Sequence, residues 1–445
     1  MKSVLILGSG MVAGPIIEYL LNKNYGLTVA SIDQKRALEL LNDHPNGQFV
    51  YWDAEDEKGL HDLVPKHDLI VSLLPYKFHV MVAKVCLEYK KHMVTTSYVK
   101  PEMQNLYDEA VNKNVLLLNE IGVDPGIDHM SAMRIIDKVH KSGGEIEEFF
   151  SITGALPDPK DVDNPLGYKF SWSPKGVILA SKNDATYLHK GKEVYVEPQT
   201  LFQDIFEVDF PNVGTMDVYP NRNSIDYIDI YGIPEVKTIF RGTFRHQSWC
   251  ATLDAIKRLN LIETDEHDFT GKTYAEFVKD MARLNGADIK QAIAEKLNIP
   301  KDADAIKSIE WLGLLDDKEM NREKDTAFEV TSDLMIEKMW MNDNDRDMVA
   351  MQHVFLVKRK DGEKEVIKSR LLDFGDPQGY TSIARTVALP AAVAVDRILQ
   401  DKIKLAGVYR PVVKEIYEPV MDELESMDIK MVEEFGLPLS ENIQK

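Results

Sequence analysis

The chain has 445 residues, too many for a single hydrophobic core, so we expect two or three domains. Its net charge of −20, from 53 basic and 73 acidic residues, argues against nucleic acid or an anionic membrane as a partner. The two cysteines form no metal or redox motif, which favours a reducing, cytoplasmic location. The first apolar run, Val4–Leu7, is too short for a signal peptide, and no run approaches the length of a membrane span.

The first 118 residues alternate between predicted strands and helices, with clear helices at Phe78–Tyr89 and Pro101–Asn112. The predicted strands are Val4–Leu7, Leu27–Ile32, Phe49–Trp52, Asp68–Leu74, Met93–Thr96 and Val115–Leu118. This alternation predicts an α/β fold with a doubly wound parallel sheet of the Rossmann type. Ligands of such sheets bind beyond the carboxyl ends of the strands, so we expect the site at that edge.

The first turn after a strand carries a dinucleotide fingerprint, G-x-G-x-x-A, over residues 8–13. Gly8 makes the turn, Gly10 lets the backbone approach a pyrophosphate, and Ala13 permits close packing of the helix. We therefore predict that Gly8, Ser9, Gly10, Met11 and Val12 bind a dinucleotide.

The choice between NAD and NADP depends on the end of the second strand. Asp33 is positioned to bind the ribose hydroxyls of NAD, whereas Lys35 and Arg36 suit the phosphate of NADP. Asp33 is equally suited to be a helix N-cap. The sequence favours NAD.

Four ionisable residues lie between the last strand of this half and the next helix, Met130–His140: Glu120, Asp124, Asp128 and His129. Asp124-Pro125-Gly126 predicts a helix start with Asp124 as the N-cap. The spacing of the carboxylates and the histidine matches no dedicated metal site, so no metal is predicted.

The second half is predicted to bind carboxylates through basic residues, because guanidinium groups bind them in a bidentate manner. Arg241 and Arg245 share a face of a strand at Thr238–Arg245, and Arg222 and Lys169 add further charge. Surface salt bridges are the alternative explanation of these residues.

Four further elements are predicted from composition and pattern. Asp265–Lys338 is an all-helical insertion, and Val354–Lys358 with Lys364–Leu372 forms a hairpin around Asp361-Gly362. The apolar helix Ile383–Gln400 is buried or at a subunit contact, from which we predict a homodimer, and Val413–Glu434 is an amphipathic helix.

Nine motifs together closely resemble the saccharopine dehydrogenase family of the glutamate-forming type. They are GSGMVAGP at 8–15, VSLLPYKFH at 71–79, TTSY at 95–98, NEIGVDPGIDHMSAM at 119–133, DNPLGYKFSWSPKGV at 163–177, YPNRNS at 219–224, FRGTFR at 240–245, EWLGLL at 310–315 and RDMVAMQH at 346–353. The resemblance implies a Rossmann domain at 1–125 completed by 385–445, a mixed α/β substrate domain at 126–384, and a helical insertion at 262–340. It also implies oxidation of saccharopine to L-glutamate and 2-aminoadipate 6-semialdehyde with NAD or NADP, or the reverse reaction, in lysine metabolism.

The resemblance also implies roles for individual residues. Saccharopine is expected to contact Ser97, Tyr98, Asp124, Arg222, Thr243 and Arg245, to which we add Phe244. The cofactor is expected to contact Gly8–Val12, Asp53, Leu74, Thr96, Val123 and Ser173, to which we add Asp33, Ala54 and Ser97. The chain departs from the family at His246-Gln247-Ser248 and at Ile32-Asp33, where fungal members carry an arginine.

The chemistry needs an amine made neutral before hydride transfer, then addition of water and proton transfers. Asp124 and Tyr98 are the first candidates for holding the amine and the water; His79 and His129 are the second candidates, and a structural role is expected more for each of them. Two alternatives remain: a carboxynorspermidine synthase-like reductase, which needs fewer cationic contacts, and a nucleotide-binding sensor without catalysis.

Overall fold

A computed structural model describes all residues, 1–445, and they form two compact units. The first unit contains residues 1–146, 230–232 and 356–440; the second contains residues 147–229, 233–355 and 441–445. The predicted domain boundaries stay a prediction. None of the helices combines the length and the apolar character needed to cross a membrane.

The first unit is built on a seven-stranded parallel sheet. In their order across the sheet, its strands are β18 Gly407–Tyr409, β6 Leu116–Leu118, β5 His92–Thr95, β4 Leu69–Ser72, β1 Ser3–Leu7, β2 Gly26–Ser31 and β3 Gly47–Tyr51. Each predicted strand of the first half is therefore present. In the interior strand β1, Val4, Leu5, Ile6 and Leu7 are all fully buried, as expected of a sheet covered on both faces.

Helices surround this sheet, and two antiparallel strands that belong to the ten-stranded second sheet lie in the same unit. The helices are α1 Ala13–Asn22, α2 Gln34–Leu41, α3 Glu57–Leu63, α4 His79–Glu88, α5 Pro101–Gln104, α6 Tyr107–Asn112, α7 Ile127–Lys141, α15 Ser382–Leu399 and α16 Lys414–Ser426. The pair consists of β17 Lys364–Phe374 and β19 Val432–Leu437. The predicted helix at Val413–Glu434 is thus wrong beyond Ser426, because the chain there becomes a strand that pairs with β17.

The second unit is a mixed sheet with a helical region. Strands β10 Phe206–Phe210, β11 Gly214–Pro220, β13 Thr238–Arg245, β7 Glu145–Pro157 and β16 Asp347–Lys358 lie side by side in this order. Strands β8 Ala185–His189, β9 Lys192–Val196 and β12 Arg222–Asn223 pair at one side of β13. The first residues of β7, the last residues of β16 and part of α9 (Tyr227–Tyr231) belong to the first unit.

The segment predicted to be an all-helical insertion is mostly helical, but the all-helical prediction is wrong because two short strands pair within it. Its helices are α11 Tyr274–Ala282, α12 Ile289–Leu297, α13 Asp304–Trp311 and α14 Ala327–Met339, and its two short strands are β14 Glu266–Asp268 and β15 Lys324–Thr326. The remaining helices of the unit are α8 Pro174–Ala180 and α10 Trp249–Arg258. The capping box of Thr273 and Glu276 fixes the start of α11.

Candidate active site

The glycine-rich turn after β1 has the geometry of a dinucleotide site. Gly8 has φ +103°, and an added Cβ would lie 3.2 Å from the carbonyl oxygen of Leu73. Gly10 differs, because an added Cβ would meet nothing within 4 Å, so its backbone faces open space at the start of α1. The N-terminus of α1 with an open glycine in front of it suits a pyrophosphate. The residues therefore fit a dinucleotide.

Gly14 of α1, which is outside the dinucleotide fingerprint at residues 8–13, lies against the side chain of Tyr380. An added Cβ at Gly14 would lie 2.4 Å from Cε1 of Tyr380, a residue near the start of α15. Burial and the Glu18 carboxylate raise the pKa of Tyr380 to about 12, so its hydroxyl stays protonated. No local sequence pattern indicates this role of Gly14, because the two residues lie far apart in the chain.

The carboxylate of Asp33 caps α2. Its Oδ1 accepts the N–H of Arg36 at 2.9 Å, and its own N–H donates to Ser31 Oγ at 3.1 Å. Ser31 also binds Ser9, with 2.8 Å between the hydroxyl oxygens. The N-cap role that the sequence left open for Asp33 is thus the one observed, and Ser31 is an addition that the sequence did not indicate.

The other predicted cofactor residues of the first unit follow its strands. They are Met11, Val12, Asp53, Ala54, Leu74, Thr96 and Val123. Asp53 is engaged locally, since its carboxylate accepts the N–H of Glu55 at 2.9 Å. Ser173 is the exception, because it belongs to the second unit, where it precedes α8.

Tyr98 and Asp124 are in contact in the first unit. The Tyr98 hydroxyl donates to Asp124 Oδ1 at 3.2 Å. Asp124 is not the N-cap of α7, and this prediction is wrong: the helix begins at Ile127 with Gly126 at the N-cap. The reason is a turn closed by Gly122, whose N–H donates to Pro125 O and whose carbonyl accepts from Ile127 N, both at 2.9 Å.

Gly126 is required at this turn. It has φ +149°, and an added Cβ would lie 2.0 Å from the carbonyl oxygen of Gly122. Its N–H donates to Asp128 Oδ1 at 2.6 Å, so Asp128 supports the helix start from within the first turn. The carboxylate of Asp124 therefore remains at the sheet edge beside Tyr98 and takes no part in capping.

Glu120 is the centre of a buried network that includes the backbone of Val99, the residue after Tyr98. The side chain is 2% exposed, and its backbone has φ +57°, which is uncommon for a residue with a side chain. Oε1 accepts from Val99 N–H at 2.7 Å and from Arg410 Nε at 2.9 Å, and Oε2 lies 2.8 Å from His129 Nε2. His129 Nδ1 lies 2.8 Å from the Tyr231 hydroxyl.

These contacts keep Glu120 ionised. Burial would raise the pKa of Glu120, but the hydrogen bond and charge of His129 and the charge of Arg410 outweigh it, so the pKa is below its ordinary value. Because Glu120 holds Val99, it fixes the backbone beside Tyr98. The sequence indicated Glu120 and His129 as ionisable but not Arg410 or Tyr231, which come from distant parts of the chain.

In the second unit, the predicted substrate residues of β13 lie on opposite faces of the strand. Thr243 and Arg245 alternate with Phe244, whose ring packs edge-on against Phe210 at 5.7 Å. Phe244 therefore lies on the opposite face from Arg245, and only its carbonyl contacts that residue, accepting from Nη1 at 2.9 Å.

Arg245 is a buried cation without a carboxylate partner. It is 5% exposed, its Nε has no hydrogen-bond partner, and it lies 5.2 to 5.7 Å from the ring centres of Tyr168, Trp249 and Tyr219. The rings supply cation–π attraction but leave the planar N–H donors of the guanidinium for an anion. This is the property expected of a residue that binds a carboxylate.

The remaining basic residues differ from Arg245. Lys169 Nζ is paired with Asp163 and Asp345, at 2.8 Å each, and these carboxylates raise the pKa of Lys169 although burial opposes them. The prediction that Lys169 offers charge to a substrate is therefore not supported. Arg241 donates to the Tyr227 hydroxyl at 2.7 Å, and its backbone N–H donates to Ser224 Oγ at 2.9 Å.

Arg222 is exposed and lies in the turn that Arg241 holds. The carbonyl of Arg241 accepts from Asn221 N–H at 2.8 Å, so β13 fixes both ends of the segment around Arg222. Arg222 itself has φ +53° and pairs through its backbone with Ala185 of β8. His246, where the chain departs from the family motif, is hydrogen-bonded through Nε2 to Pro157 O at 2.9 Å.

Two family profiles cover most of the chain. The profile described as "Saccharopine dehydrogenase NADP binding domain" matches residues 4–118, and "Saccharopine dehydrogenase C-terminal domain" matches residues 122–429. The chain belongs to the saccharopine dehydrogenase family. This confirms the predicted family, and the NADP-binding profile supports a nicotinamide dinucleotide as the cofactor of its members.

Curated relatives and a solved structure agree with this family. The chain is 36% identical to saccharopine dehydrogenase [NADP(+), L-glutamate-forming] of Schizosaccharomyces pombe, over 98% of this chain and 99% of the relative. It is 36% identical to bovine mitochondrial alpha-aminoadipic semialdehyde synthase, over 96% of this chain and 47% of that protein. The apo saccharopine dehydrogenase (L-Glu forming) of Saccharomyces cerevisiae superposes with a TM-score of 0.90 at 34% identity, over 98% and 100% of the chains. The predicted fold class is thereby confirmed.

Proposed function

We propose that the protein oxidises saccharopine with NADP to L-glutamate and 2-aminoadipate 6-semialdehyde, or catalyses the reverse reduction, in lysine metabolism. The observation that carries the proposal is the end-to-end similarity to saccharopine dehydrogenase [NADP(+), L-glutamate-forming] of Schizosaccharomyces pombe, at 36% identity over 98% of this chain. Arg245 supports it, because saccharopine bears three carboxylates and the protein has a net charge of −20. An arginine without a carboxylate partner is a local exception in such a protein.

The site residues are proposed to act in sequence. Arg222 and Arg245 bind carboxylates of the substrate together with Thr243 of β13, while Ser97, Tyr98 and Asp124 bind the region of the secondary amine. The nitrogen must be neutral before a hydride leaves the adjacent carbon, and a bound nicotinamide would supply the acceptor for that hydride. Water then adds to the imine carbon, and proton transfer to nitrogen releases glutamate and the semialdehyde. The hydrogen-bonded pair of Tyr98 and Asp124 is the proposed holder of the amine and of the attacking water.

NADP is the proposed cofactor, in place of the NAD that the sequence favoured. The Asp33 carboxylate already accepts the backbone N–H of Arg36, while the charges of Lys35 and Arg36 lie at the exposed start of α2. A ribose phosphate is an anion that this helix start and these side chains suit.

The test is turnover by purified protein with saccharopine and each cofactor, followed by the absorbance of the reduced nicotinamide. We expect turnover with NADP. In the Arg36→Ala variant, the KM for NADP should rise, whereas the KM for NAD should not change. Absence of turnover with both cofactors would refute the proposed function. Turnover with carboxynorspermidine alone would favour the reductase alternative.

The cytoplasmic location and the homodimer stay predictions. The helix that suggested a subunit contact is used inside the first unit, where α15 packs against α1 and α16. Ala388 and Val395 of this helix are fully buried there. Its apolar character therefore gives no separate support for a dimer.

A further inference from the structure

His79 is a buried histidine at the carboxyl edge of the sheet in the first unit. It is 4% exposed and is the first residue of α4. Nδ1 lies 2.9 Å from Ser72 Oγ, and Nε2 lies 2.8 Å from Ser97 Oγ. The imidazole thus joins the last residue of β4 to a residue just after β5.

The imidazole is uncharged at neutral pH. Burial lowers the pKa of His79 to about 4, and no charged neighbour opposes this effect. A neutral imidazole has one N–H and one lone pair, so one nitrogen donates and the other accepts. A hydroxyl next to either nitrogen is consequently held in one orientation.

The backbone of Ser97 is held on both sides. Its N–H donates to Thr95 Oγ1 at 3.4 Å, and its carbonyl accepts from Glu120 N–H at 3.1 Å. The rotamer of the side chain and the direction of the Oγ–H bond are the freedoms that these backbone contacts leave. His79 Nε2 restricts both, since it lies 2.8 Å from Ser97 Oγ; its other hydroxyl neighbour, Thr95 Oγ1, is farther away, at 3.4 Å.

We propose that His79 is a positioning residue that orients the Ser97 hydroxyl for its contact with the substrate through the Nε2–Oγ hydrogen bond. This deepens the proposed function and rests on it. His79 acts through Ser97 and does not itself accept the proton of the amine.

Two conservative variants distinguish the two nitrogens. The amide of His79→Gln reaches the position of Nε2 and can replace it next to Ser97, whereas the amide of His79→Asn reaches only the position of Nδ1. We expect His79→Asn to lower kcat/KM for saccharopine about tenfold, which corresponds to one neutral hydrogen bond. His79→Gln should restore most of this loss. Equal losses in the two variants, at equal melting temperature, would overturn the proposal.

A double-mutant cycle tests whether His79 acts through Ser97. In a Ser97→Ala background, His79→Asn should change kcat/KM by less than about twofold. A tenfold loss in both backgrounds would show that His79 acts independently. The pH profile of His79→Gln should keep the shape of the wild type; loss of one limb would instead make His79 the general base.

A readout without turnover separates this inference from the proposed function. In a protein labelled with ¹⁵N-histidine, we expect the NMR shifts of His79 to show one neutral tautomer. Ser97→Ala should move the Nε2 shift and leave the Nδ1 shift nearly unchanged. An unchanged Nε2 shift would refute the hydrogen bond even in an active enzyme, and the expected shifts would support it even if saccharopine were not a substrate.

Discussion

Glu120 of the first unit and Arg245 of the second are both buried ions, but only Glu120 is paired with residues of opposite charge. Glu120 has partners on both carboxylate oxygens, from Val99, Arg410 and His129. Arg245 bonds one carbonyl, lies among aromatic rings, and keeps an Nε without a partner.

The difference separates a structural ion from a binding ion. Burying an unpaired charge lowers the free energy of unfolding by several kcal/mol. The carboxylate of Glu120 is fully paired, so its role is to hold its partners in place. A buried guanidinium without a carboxylate is stabilised when an anionic ligand arrives. We therefore expect changes at Glu120 to alter stability most and changes at Arg245 to alter binding most.

The largest expected effect is on stability. Glu120→Ala leaves Arg410 and His129 without their shared partner and should lower the free energy of unfolding by about 3–5 kcal/mol. Urea denaturation measures this change. The control is Glu109→Ala, which removes an exposed pair with Lys113 at 2.9 Å and should cost at most about 0.5 kcal/mol. Similar losses in both variants would remove the distinction.

Arg245→Met should affect substrate binding more than folding. The apolar replacement keeps contact with the aromatic rings but loses the charge, so we expect KM for saccharopine to rise about 100-fold, or about 2.7 kcal/mol. KM for the cofactor should remain unchanged in steady-state kinetics. Arg322→Met, which removes an arginine already paired with Asp325 and Asp333, should leave both constants unchanged. Equal rises in both KM values for Arg245→Met would place this residue outside the substrate site.

The pH dependence of stability should differ between the wild type and Glu120→Gln. Because the pKa of Glu120 is lowered in the folded state, its contribution is fully present above the unfolded pKa of about 4.3 and is lost as pH falls through the folded pKa. The advantage of the wild type over Glu120→Gln should therefore shrink between pH 7 and pH 3 in urea titrations. An advantage that stays constant over this range would mean that Glu120 titrates normally.

The smallest expected effect is at the end of the Glu120 network. Tyr231→Phe removes the hydroxyl next to His129 Nδ1 and should cost about 1 kcal/mol of stability. Tyr195→Phe is the matched control, because its hydroxyl bonds Asp184 at the surface. Thermal unfolding should rank the two variants in this order, and the reverse order would show that Tyr231 is not part of the network.

The local features of the fold could be predicted, and the distant partners could not. The six strands of the first half were recognisable because each is a buried apolar run, and Gly8 because it follows β1 directly. The pairing of Glu120 with Arg410 joins residues 290 positions apart, which no local pattern encodes.

Two predictions about the site, for Asp124 and for Lys169, were wrong because they considered only neighbouring residues in the sequence. Asp124-Pro125 has the composition of a helix start, yet α7 begins only at Ile127, because Gly126 with φ +149° is its N-cap. Lys169 has the charge for a substrate contact, but Asp345, far along the chain, already binds it. Both outcomes depend on tertiary contacts that compete with the local preference.

The fit of Tyr380 against Gly14, and the pairing of β18 with β6, have a consequence for synthesis of the chain. A ribosome releases the glycine-rich turn and β6 long before it has translated Tyr380 and Gly407–Tyr409. We therefore expect the β6 edge of the nascent sheet to stay uncovered until nearly the whole polypeptide has emerged. A truncated fragment ending after β6 is accordingly expected to aggregate through this edge rather than to fold as an independent cofactor-binding protein.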